Sequence, residues 1–536
     1  MENNKSPIVL AILDGWGMSA AWGGNAISMS GPTTMNSLWR DYPHAVLQAF
    51  RQAAGNFKMI GNSEIGHSSI GAGKIVFQDL ERISRSIEDK SFFQNPVLVE
   101  ACRYALSYNS SLHLVGLVSD GGIHSHIDHL YALLRLAKFY NLPKVYIHVI
   151  TDGLDTEQNS AIDYVANLEK MMAEIGIGQI ATVTGRQFAM NRDDQWENIS
   201  KAVGAMTQGV GSYSISAIDA IKKAYASGIT DQFIPATVIK TDVGPVATIK
   251  DNDSIIFFNY RPDRARELTI ALLGMHNIGL RHRAAANTYF AAFTTYFLPQ
   301  AIQSRVKVAF SGEQIDTTLG KLISDAGLKQ FRIAESEKYP HITYFFNCGQ
   351  EVEFPGEDRV IIDSANVKTF AEKPEMEAQQ IADKLVKALQ SEKYNFLLAN
   401  FANVDSVGHS GDLMTTTQAV AVVDEVIKQL ADAVLKMDAT LIITADHGNA
   451  EQMIQVTSGH DRETFHTLSP VPFILVRNKL KGKNKRLLSS GEILAQMVAS
   501  KNSLADIAPT ILELMGIDKP KSMEGNSLLS DIIHME

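Results

Sequence analysis

Three short apolar runs in this chain each lead into a carboxylate. PIVLAIL leads to Asp14-Gly15, YNFLLANF to Asp405, and ATLIITA to Asp446-His447-Gly448. Each run reads as a strand, and helical patterns separate such runs throughout the chain. That alternation is the signature of an α/β protein built on a mostly parallel sheet. In open parallel sheets ligands gather at the carboxyl ends of the strands. If the three strands share one sheet, three carboxylates distant in the chain converge on one edge.

The middle of the chain repeats the habit with different chemistry. SLHLVGLV leads to Ser119-Asp120-Gly121-Gly122 and His124, and KVYIHVI to Asp152-Gly153-Leu154-Asp155. QIATVT leads to Gly185-Arg186 and Arg192, and DSIIFFNY to Arg261, Arg264 and Arg266, with a helical pattern after them. Carboxylate and histidine dominate the outer segments; arginine and histidine dominate the middle. This reads as a metal-binding domain, residues 1–77 and 312–536, interrupted by an inserted anion-binding domain, residues 78–311. A length of 536 residues suits two or more domains, and 45% hydrophobic residues supply their cores.

The formal net charge of −10 argues against nucleic acid or an anionic membrane as the main partner. A local arginine cluster can still take a small anionic substrate. Two cysteines, Cys102 and Cys348, imply no disulfide framework and fit a reducing, cytoplasmic setting. The apolar run near the N-terminus is too short for a signal-peptide core, and no stretch approaches the ~18 apolar residues that span a bilayer.

Asp405-Ser-Val-Gly-His409 spaces a carboxylate and an imidazole four apart, so a helix or tight turn aims both at one ion. Asp446-His447 offers adjacent ligands on a strand-end loop. Asp14, and His466 in ETFHTLSPVP, complete a set of hard oxygen and borderline nitrogen donors. The mixture suits Mn²⁺, Mg²⁺ or Zn²⁺, and the lack of thiolates points away from a structural zinc site. So many ligands call for two ions, which together can clamp the attacking and leaving oxygens of phosphoryl transfer.

The stretch IGNSEIGHSSIGAGK, residues 60–74, packs glycines and serines around one glutamate and one histidine. It fails the nucleotide P-loop pattern: His67 follows Gly66, and Ala72 follows Gly71, where a P-loop needs lysine. A serine hydroxyl is a poor nucleophile unless a base or a metal activates it. A metal at Ser63, at the start of a helix whose amides favour phosphate, supplies that activation. The glycines are expected to let the backbone turn tightly beneath Ser63, with Glu64 and His67 of secondary interest.

LDGWG, GNSEIGH, SDGGIHSH, GRQFAMNRD, NYRPDRAREL, AESEKYPH, VDSVGHSG and ADHGNAE stand in this order along the chain. Together they resemble the cofactor-independent phosphoglycerate mutases of the alkaline phosphatase superfamily, from about Pro7 to the segment starting at Leu504. The resemblance implies an alkaline-phosphatase-like domain holding two Mn²⁺ ions (Mg²⁺ or another divalent ion in some members) and an inserted α/β transferase domain. It implies that Asp405, His409 and His466 hold one ion, and that Asp14, Ser63, Asp446 and His447 hold the other. Ser63 is then the phosphorylated nucleophile. The implied substrate set is His124, Asp155, Arg186, Arg192, Arg261, Arg264 and Lys338. In this family 3-phosphoglycerate gives its phosphate to the serine and takes it back on the 2-hydroxyl, with no 2,3-bisphosphoglycerate, in enzymes that are usually monomeric.

The residue chemistry agrees with that resemblance. Arginine's planar fork binds carboxylate and phosphate bidentately, which lysine cannot. Arg261 and Arg264, three apart, suit one helical face, whereas Arg266 reads as a solvated helix position. Asp155 or His124 is suited to moving the proton of a glycerate hydroxyl. Two places depart from the family: Asp-Gly-Leu-Asp at 152–155 replaces the usual Asp-Gly-Arg-Asp, and HTLSPVP, which keeps His466, stands where an Asn is common before Pro470. Loss of a charged hydrogen bond to an anion costs roughly 1.5–3 kcal/mol. The alternatives to a mutase are a metal-dependent phosphomonoesterase, with water as acceptor, and a degenerate homologue that only binds.

Overall fold

The computed structural model describes residues 6–20, 22–49, 62–192, 194–274, 285–312, 315–455, 461–484 and 500–533. The chain divides into two compact units, Met1–Val76 with Gln314–Glu536, and Phe77–Glu313.

The first unit is built on a seven-stranded sheet: β1 (Ile8–Leu13), β2 (His44–Leu47), β12 (Gln330–Glu335), β13 (Glu357–Ile362), β14 (Phe396–Phe401), β15 (Thr440–Thr444) and β16 (Val471–Val476). Their spatial order is β13-β12-β14-β1-β15-β16-β2. The strands from β13 to β15 run parallel, and β16 is antiparallel to both of its neighbours. Every residue of β1, β14 and β15 is buried. Parallel strands covered on both faces carry continuous apolar runs rather than alternation, which is why these three stood out in the sequence. The register pairs Leu13 with Phe401 and Ile12 with Thr444, so the three strands end level with one another.

The second unit carries a nine-stranded sheet. Its strands are β3 (Leu112–Leu117), β4 (Val145–Thr151), β5 (Gln179–Gly185), β6 (Ser212–Ser214), β7 (Thr237–Thr241), β8 (Gly244–Pro245), β9 (Ser254–Phe257), β10 (Tyr289–Ala292) and β11 (Val306–Val308). The order is β11-β10-β9-β3-β4-β5-β7-β6, with β8 paired to β7. From β11 to β5 the pairing is parallel, and β7 is antiparallel to β5. Among the described residues two large apolar clusters serve this unit, one gathering Leu114, Leu130 and Ile147, the other Val115, Ile199 and Phe257. Leu114 and Val115 are consecutive on β3, and consecutive strand residues point to opposite faces, so the clusters cover the two sides of the sheet. Among the described residues no helix is long and apolar enough to cross a membrane.

Candidate active site

Four neighbouring parallel strands of the first unit deliver charged side chains at one edge. β1 ends at Leu13 and is followed by Asp14. β14 leads into the helix Asn403–Gly408, which carries Asp405, with His409 at its C-terminal cap. β15 is followed by Asp446 and His447, and β12 by Lys338. The convergence follows from parallel pairing, because each carboxyl end faces the same way.

Ser63 reaches this edge from the first position of the helix Ser63–Ala72, whose N-cap Asn62 accepts a hydrogen bond from the Ile65 amide. Its hydroxyl donates to Asp14 Oδ1 at 3.2 Å and lies 2.9 Å from His447 Nε2. Lys338 Nζ donates to Ser63 Oγ at 2.9 Å, to Asp14 Oδ1 at 3.0 Å and to Asp405 Oδ2 at 2.7 Å. One ammonium thus joins both carboxylates to the serine. Lys338, expected in the substrate set from the resemblance, lies in the first unit beside Asp14, Asp405 and Ser63.

The sequence suggested a tight turn beneath Ser63, but the described glycines of this stretch, Gly66, Gly71 and Gly73, serve a helix instead. Gly66 and Gly71 are helical, and Gly73, with φ +60°, caps the helix. A Cβ on Gly66 would stand 2.7 Å from Asp446 Cβ, and one on Gly71 would stand 1.9 Å from the Phe346 carbonyl oxygen. These glycines therefore let the helix approach the Asp446 loop and its neighbour closely, which no larger residue permits. Ile60 and Gly61 lie outside the described residues.

The ligand set divides by depth. Asp405, His409 and His466 form one group, at the exposed side. Asp14, Asp405 and His447 form a second, and Asp14, His67 and Asp446 a third, all of them buried. His409 Nδ1 lies 2.8 Å from the Thr464 carbonyl oxygen, so that nitrogen carries the proton and Nε2 keeps a lone pair. That lone pair faces Asp405 Oδ1 at 3.3 Å and His466 Nε2 at 3.0 Å, and His466 Nε2 is 3.2 Å from the same carboxylate oxygen. Electron pairs aimed at one small space require protons or a cation between them.

The electrostatics point the same way. Burial by itself would raise the Asp14 and Asp405 carboxyls, but Lys338 and the neighbouring imidazoles hold both well below the usual range. Burial would lower His447, yet Asp446, Asp14 and Asp405 push it up to about 9. The hydrogen bond to Asp405 raises His409. Burial also opposes the Lys338 charge, and Asp14 and Asp405 outweigh it, raising the ammonium. A cluster that draws protons onto its imidazoles is one from which divalent cations can displace them. The residues present therefore fit a divalent-metal centre.

In the second unit, β3, β4, β5 and β9 again lie side by side and present His124, Asp152 with Asp155, Arg186, and Arg261 with Arg264 beyond their carboxyl ends. Arg186, 3% exposed, donates to Asp152 Oδ1 at 2.5 Å and to Asp155 Oδ2 at 2.7 Å. Ser119 donates to the other Asp152 oxygen at 2.7 Å. His124 Nε2 stands 3.8 Å from Asp155 Oδ2, and its Nδ1 3.9 Å from Asp263 Oδ1. Asp263 also holds Arg192 at 3.3 Å and Arg261 at 3.2 Å. Burial, then the nearby Arg186 charge, push His124 down to about 4, so it is a neutral imidazole at physiological pH, able to accept a proton. Burial raises the Asp155 carboxyl.

Arg261 and Arg264 do not share a helical face. The helix is Arg266–Leu272, and both arginines precede it, Arg264 on a turn and Arg261 on irregular backbone, where the following Pro262 disfavours helix. Arg266, at the start of that helix, is exposed. Leu154 is 58% exposed, and its amide donates to Asp152 Oδ1.

Several residues that hold these groups were not singled out by sequence reasoning. Asp152 and Asp263 orient the arginines. Asn449 donates to Asp405 Oδ1 at 2.9 Å, and buried Glu451 accepts from the Asn449 amide and the Thr467 hydroxyl. Asn400 and His67 lie directly behind Asp14 and Asp446. The available signals were the amide of Asn400 inside the apolar strand FLLANF and a histidine one helical turn after Ser63.

Residues 83–297 match the family model described as the N-terminus of BPG-independent PGAM, and residues 313–505 the model for type I phosphodiesterase / nucleotide pyrophosphatase. A 2,3-bisphosphoglycerate-independent phosphoglycerate mutase of Clostridium perfringens (strain 13 / Type A) is 45% identical over 528 residues, covering 98% of this chain and 100% of its own. One from Clostridium acetobutylicum is 45% identical over 525 residues, covering 98% and 99%. A solved structure of Leishmania mexicana phosphoglycerate mutase at low cobalt concentration superimposes with a TM-score of 0.65 at 27% identity, covering 97% of each chain.

Proposed function

The chain belongs to the family of 2,3-bisphosphoglycerate-independent phosphoglycerate mutases, and from that premise we propose how its residues divide the work. The reaction is the interconversion of 3-phosphoglycerate and 2-phosphoglycerate, an isomerisation of glycolysis that uses no bisphosphoglycerate. The proposal concerns the route: a phosphoserine at Ser63, formed and discharged within the ligand set of the first unit.

The observation that carries it is the setting of the Ser63 hydroxyl. It lies at a helix N-terminus and within hydrogen-bonding distance of a carboxylate, an imidazole and an ammonium at once. Ser63 Oγ loses its proton and attacks phosphorus, the bond from phosphorus to the glycerate oxygen breaks, and glycerate leaves with that oxygen protonated, so that one proton passes from serine to glycerate overall. Asp14 accepts the hydrogen bond of the serine hydroxyl, and Lys338 donates to the oxygen as negative charge grows on it. The helix amides favour the incoming phosphoryl oxygens. Asp405, His409 and His466 would hold one divalent ion, and Asp14, Asp446, His447 and Ser63 a second. Such ions supply Lewis acidity toward phosphoryl oxygens and lower the pKa of a bound hydroxyl. Mn²⁺ is the proposed native ion, with Mg²⁺ an acceptable substitute for this oxygen-rich set.

In the second unit, Arg186, Arg192, Arg261 and Arg264 would hold the anionic groups of phosphoglycerate. His124 and Asp155 flank the place for the hydroxyl, and either can move its proton while the phosphoryl group returns to the 2-position. This reading makes the first unit the phosphatase-like domain and the second the substrate-binding domain of a cytoplasmic, monomeric enzyme. The support is the two cysteines, both free, and the character of the family.

A coupled assay with 3-phosphoglycerate, without bisphosphoglycerate, is expected to lose its rate on chelation and regain it with Mn²⁺. Peptide mass spectrometry of enzyme quenched with substrate is expected to find phosphate on Ser63. Full activity in chelator, or phosphate on another residue, overturns the route. Release of inorganic phosphate in place of 2-phosphoglycerate would favour the phosphomonoesterase reading instead, for which the missing arginine at Leu154 is the one structural argument.

Leu154→Arg should restore a cation beside Asp155. Since Leu154 is largely exposed, the change is expected to alter stability by no more than about 0.5 kcal/mol and to lower KM for 3-phosphoglycerate by about tenfold. An unchanged KM would show that the other arginines already satisfy the substrate.

A further inference from the structure

His67, which shares a buried cluster with Asp14 and Asp446, and Asn400 form a fully buried bridge that the proposed chemistry does not use. His67 follows Ser63 by one helical turn, and its Nδ1 lies 2.8 Å from the Ser63 carbonyl oxygen and 3.2 Å from Asp446 Oδ2. Asp446 Oδ2 makes no hydrogen bond among the described residues, so the Ser63 carbonyl is the acceptor, and a ring nitrogen facing it must carry the proton. The opposite nitrogen, Nε2, is then an acceptor, and Asn400 Nδ2 approaches it at 3.0 Å. The same amide nitrogen donates to Asp14 Oδ2 at 2.8 Å. The chain of contacts runs from the Ser63 backbone and Asp446, through one imidazole and one amide, to Asp14.

The amide orientation follows from its neighbours: only an NH₂ group can face a carboxylate oxygen and an imidazole lone pair together. Asn400 Oδ1 is buried and has no hydrogen-bond partner among the described residues. An unsatisfied buried carbonyl is costly, and leucine would fill the same volume in β14 without it. The donors of Asn400 are what its position explains.

We infer that His67 and Asn400 are positioning residues. They hold the nucleophile's backbone and the carboxylates Asp14 and Asp446 at a set spacing, so that the Ser63 oxygen and the divalent ions meet in one geometry. Both touch residues of the ligand set and neither touches substrate. The inference rests on the metal and phosphoserine reading above and extends it to groups behind the ligands. Partners of metal ligands typically change metal affinity or activity by about 10–100-fold when removed.

Leucine and asparagine have nearly the same shape and differ in the donor, so they form the test at His67. His67→Leu is expected to weaken Mn²⁺ binding, measured by calorimetry on the metal-stripped full chain, and to lower kcat, each by about 10–100-fold. KM for 3-phosphoglycerate should stay within about threefold, because the lost interaction contacts no substrate. His67→Asn, which can place an amide donor near the position of Nδ1, should recover most of both losses at an equal thermal midpoint. Equal Mn²⁺ affinity and kcat in the two variants would overturn the inference, as would a loss confined to KM. If His67→Leu does not fold, Asn400→Leu carries the same expectation, and wild-type Mn²⁺ affinity in that variant would overturn it. Wild-type protein that binds no Mn²⁺ and gains no phosphate on Ser63 would overturn the functional reading and this inference with it. Wild-type protein that does both, alongside variants that match it, overturns the inference alone.

Discussion

Ser63→Ala is expected to lower mutase turnover by at least ~10⁴-fold, the scale seen when a catalytic nucleophile is removed. The fold should survive. Ser63 contributes one hydroxyl to the cluster, and its loss leaves Lys338 still donating to Asp14 and Asp405. The helix Ser63–Ala72 keeps its Asn62 cap, and alanine at the first helical position suits the backbone. A thermal midpoint near wild type, with no detectable 2-phosphoglycerate formation and no phosphate incorporated, is the predicted pair of results. Turnover near wild type would remove the nucleophile assignment whatever the metal content.

Lys338→Met is expected to have the second largest effect, on rate and on stability together. The ammonium is buried and donates to Asp14, Asp405 and Ser63. Removing one partner of a buried charged group leaves the others uncompensated, at a cost of about 3–5 kcal/mol. Loss of a donor to the reacting oxygen should lower kcat by about 10²–10³-fold. The destabilisation should be largest in chelator and shrink when Mn²⁺ is added, since a divalent ion compensates the same carboxylates and stabilises the state that binds it. A methionine variant with equal thermal midpoints in chelator and in Mn²⁺ would show that lysine and metal do not serve the same charges.

The pH dependence of that stability has a definite sign. The Lys338 ammonium is shifted upward, so its contribution is complete below the unfolded value of about 10.4 and disappears only as pH rises through the still higher folded value. Asp14 and Asp405 are shifted downward, so their contribution is present above about pH 4 and is lost as pH falls further. Neither produces a change across the neutral range.

The candidate site residues were not equally legible. Asp14, Asp405 and Asp446 were readable because strand and following carboxylate are local: a buried parallel strand is a continuous apolar run, and the residue after it stands at the ligand edge. Arg186 was readable for the same reason. Lys338 was not, because nothing near EKYPH distinguishes a lysine that neutralises two carboxylates from one in water. Gly66 and Gly71 were misread because a helix that must approach another loop closely and a tight turn make the same demand for the missing Cβ. Asn400 passed as one polar residue in a strand, since its partners, Asp14 and His67, are 386 and 333 residues away.

What the sequence determined by itself is the chemistry on offer: which strands end in carboxylates, which in arginines, and a serine in a glycine-rich stretch. Those properties follow from short-range periodicity and from side-chain type. Only the tertiary structure decided that β14, β1 and β15 lie side by side with their ends level, and that one lysine answers two carboxylates. It also decided that a histidine and an asparagine brace them from behind. Such facts depend on strand order and register, which arise from the packing of the whole sheet and are written in no single segment of the chain.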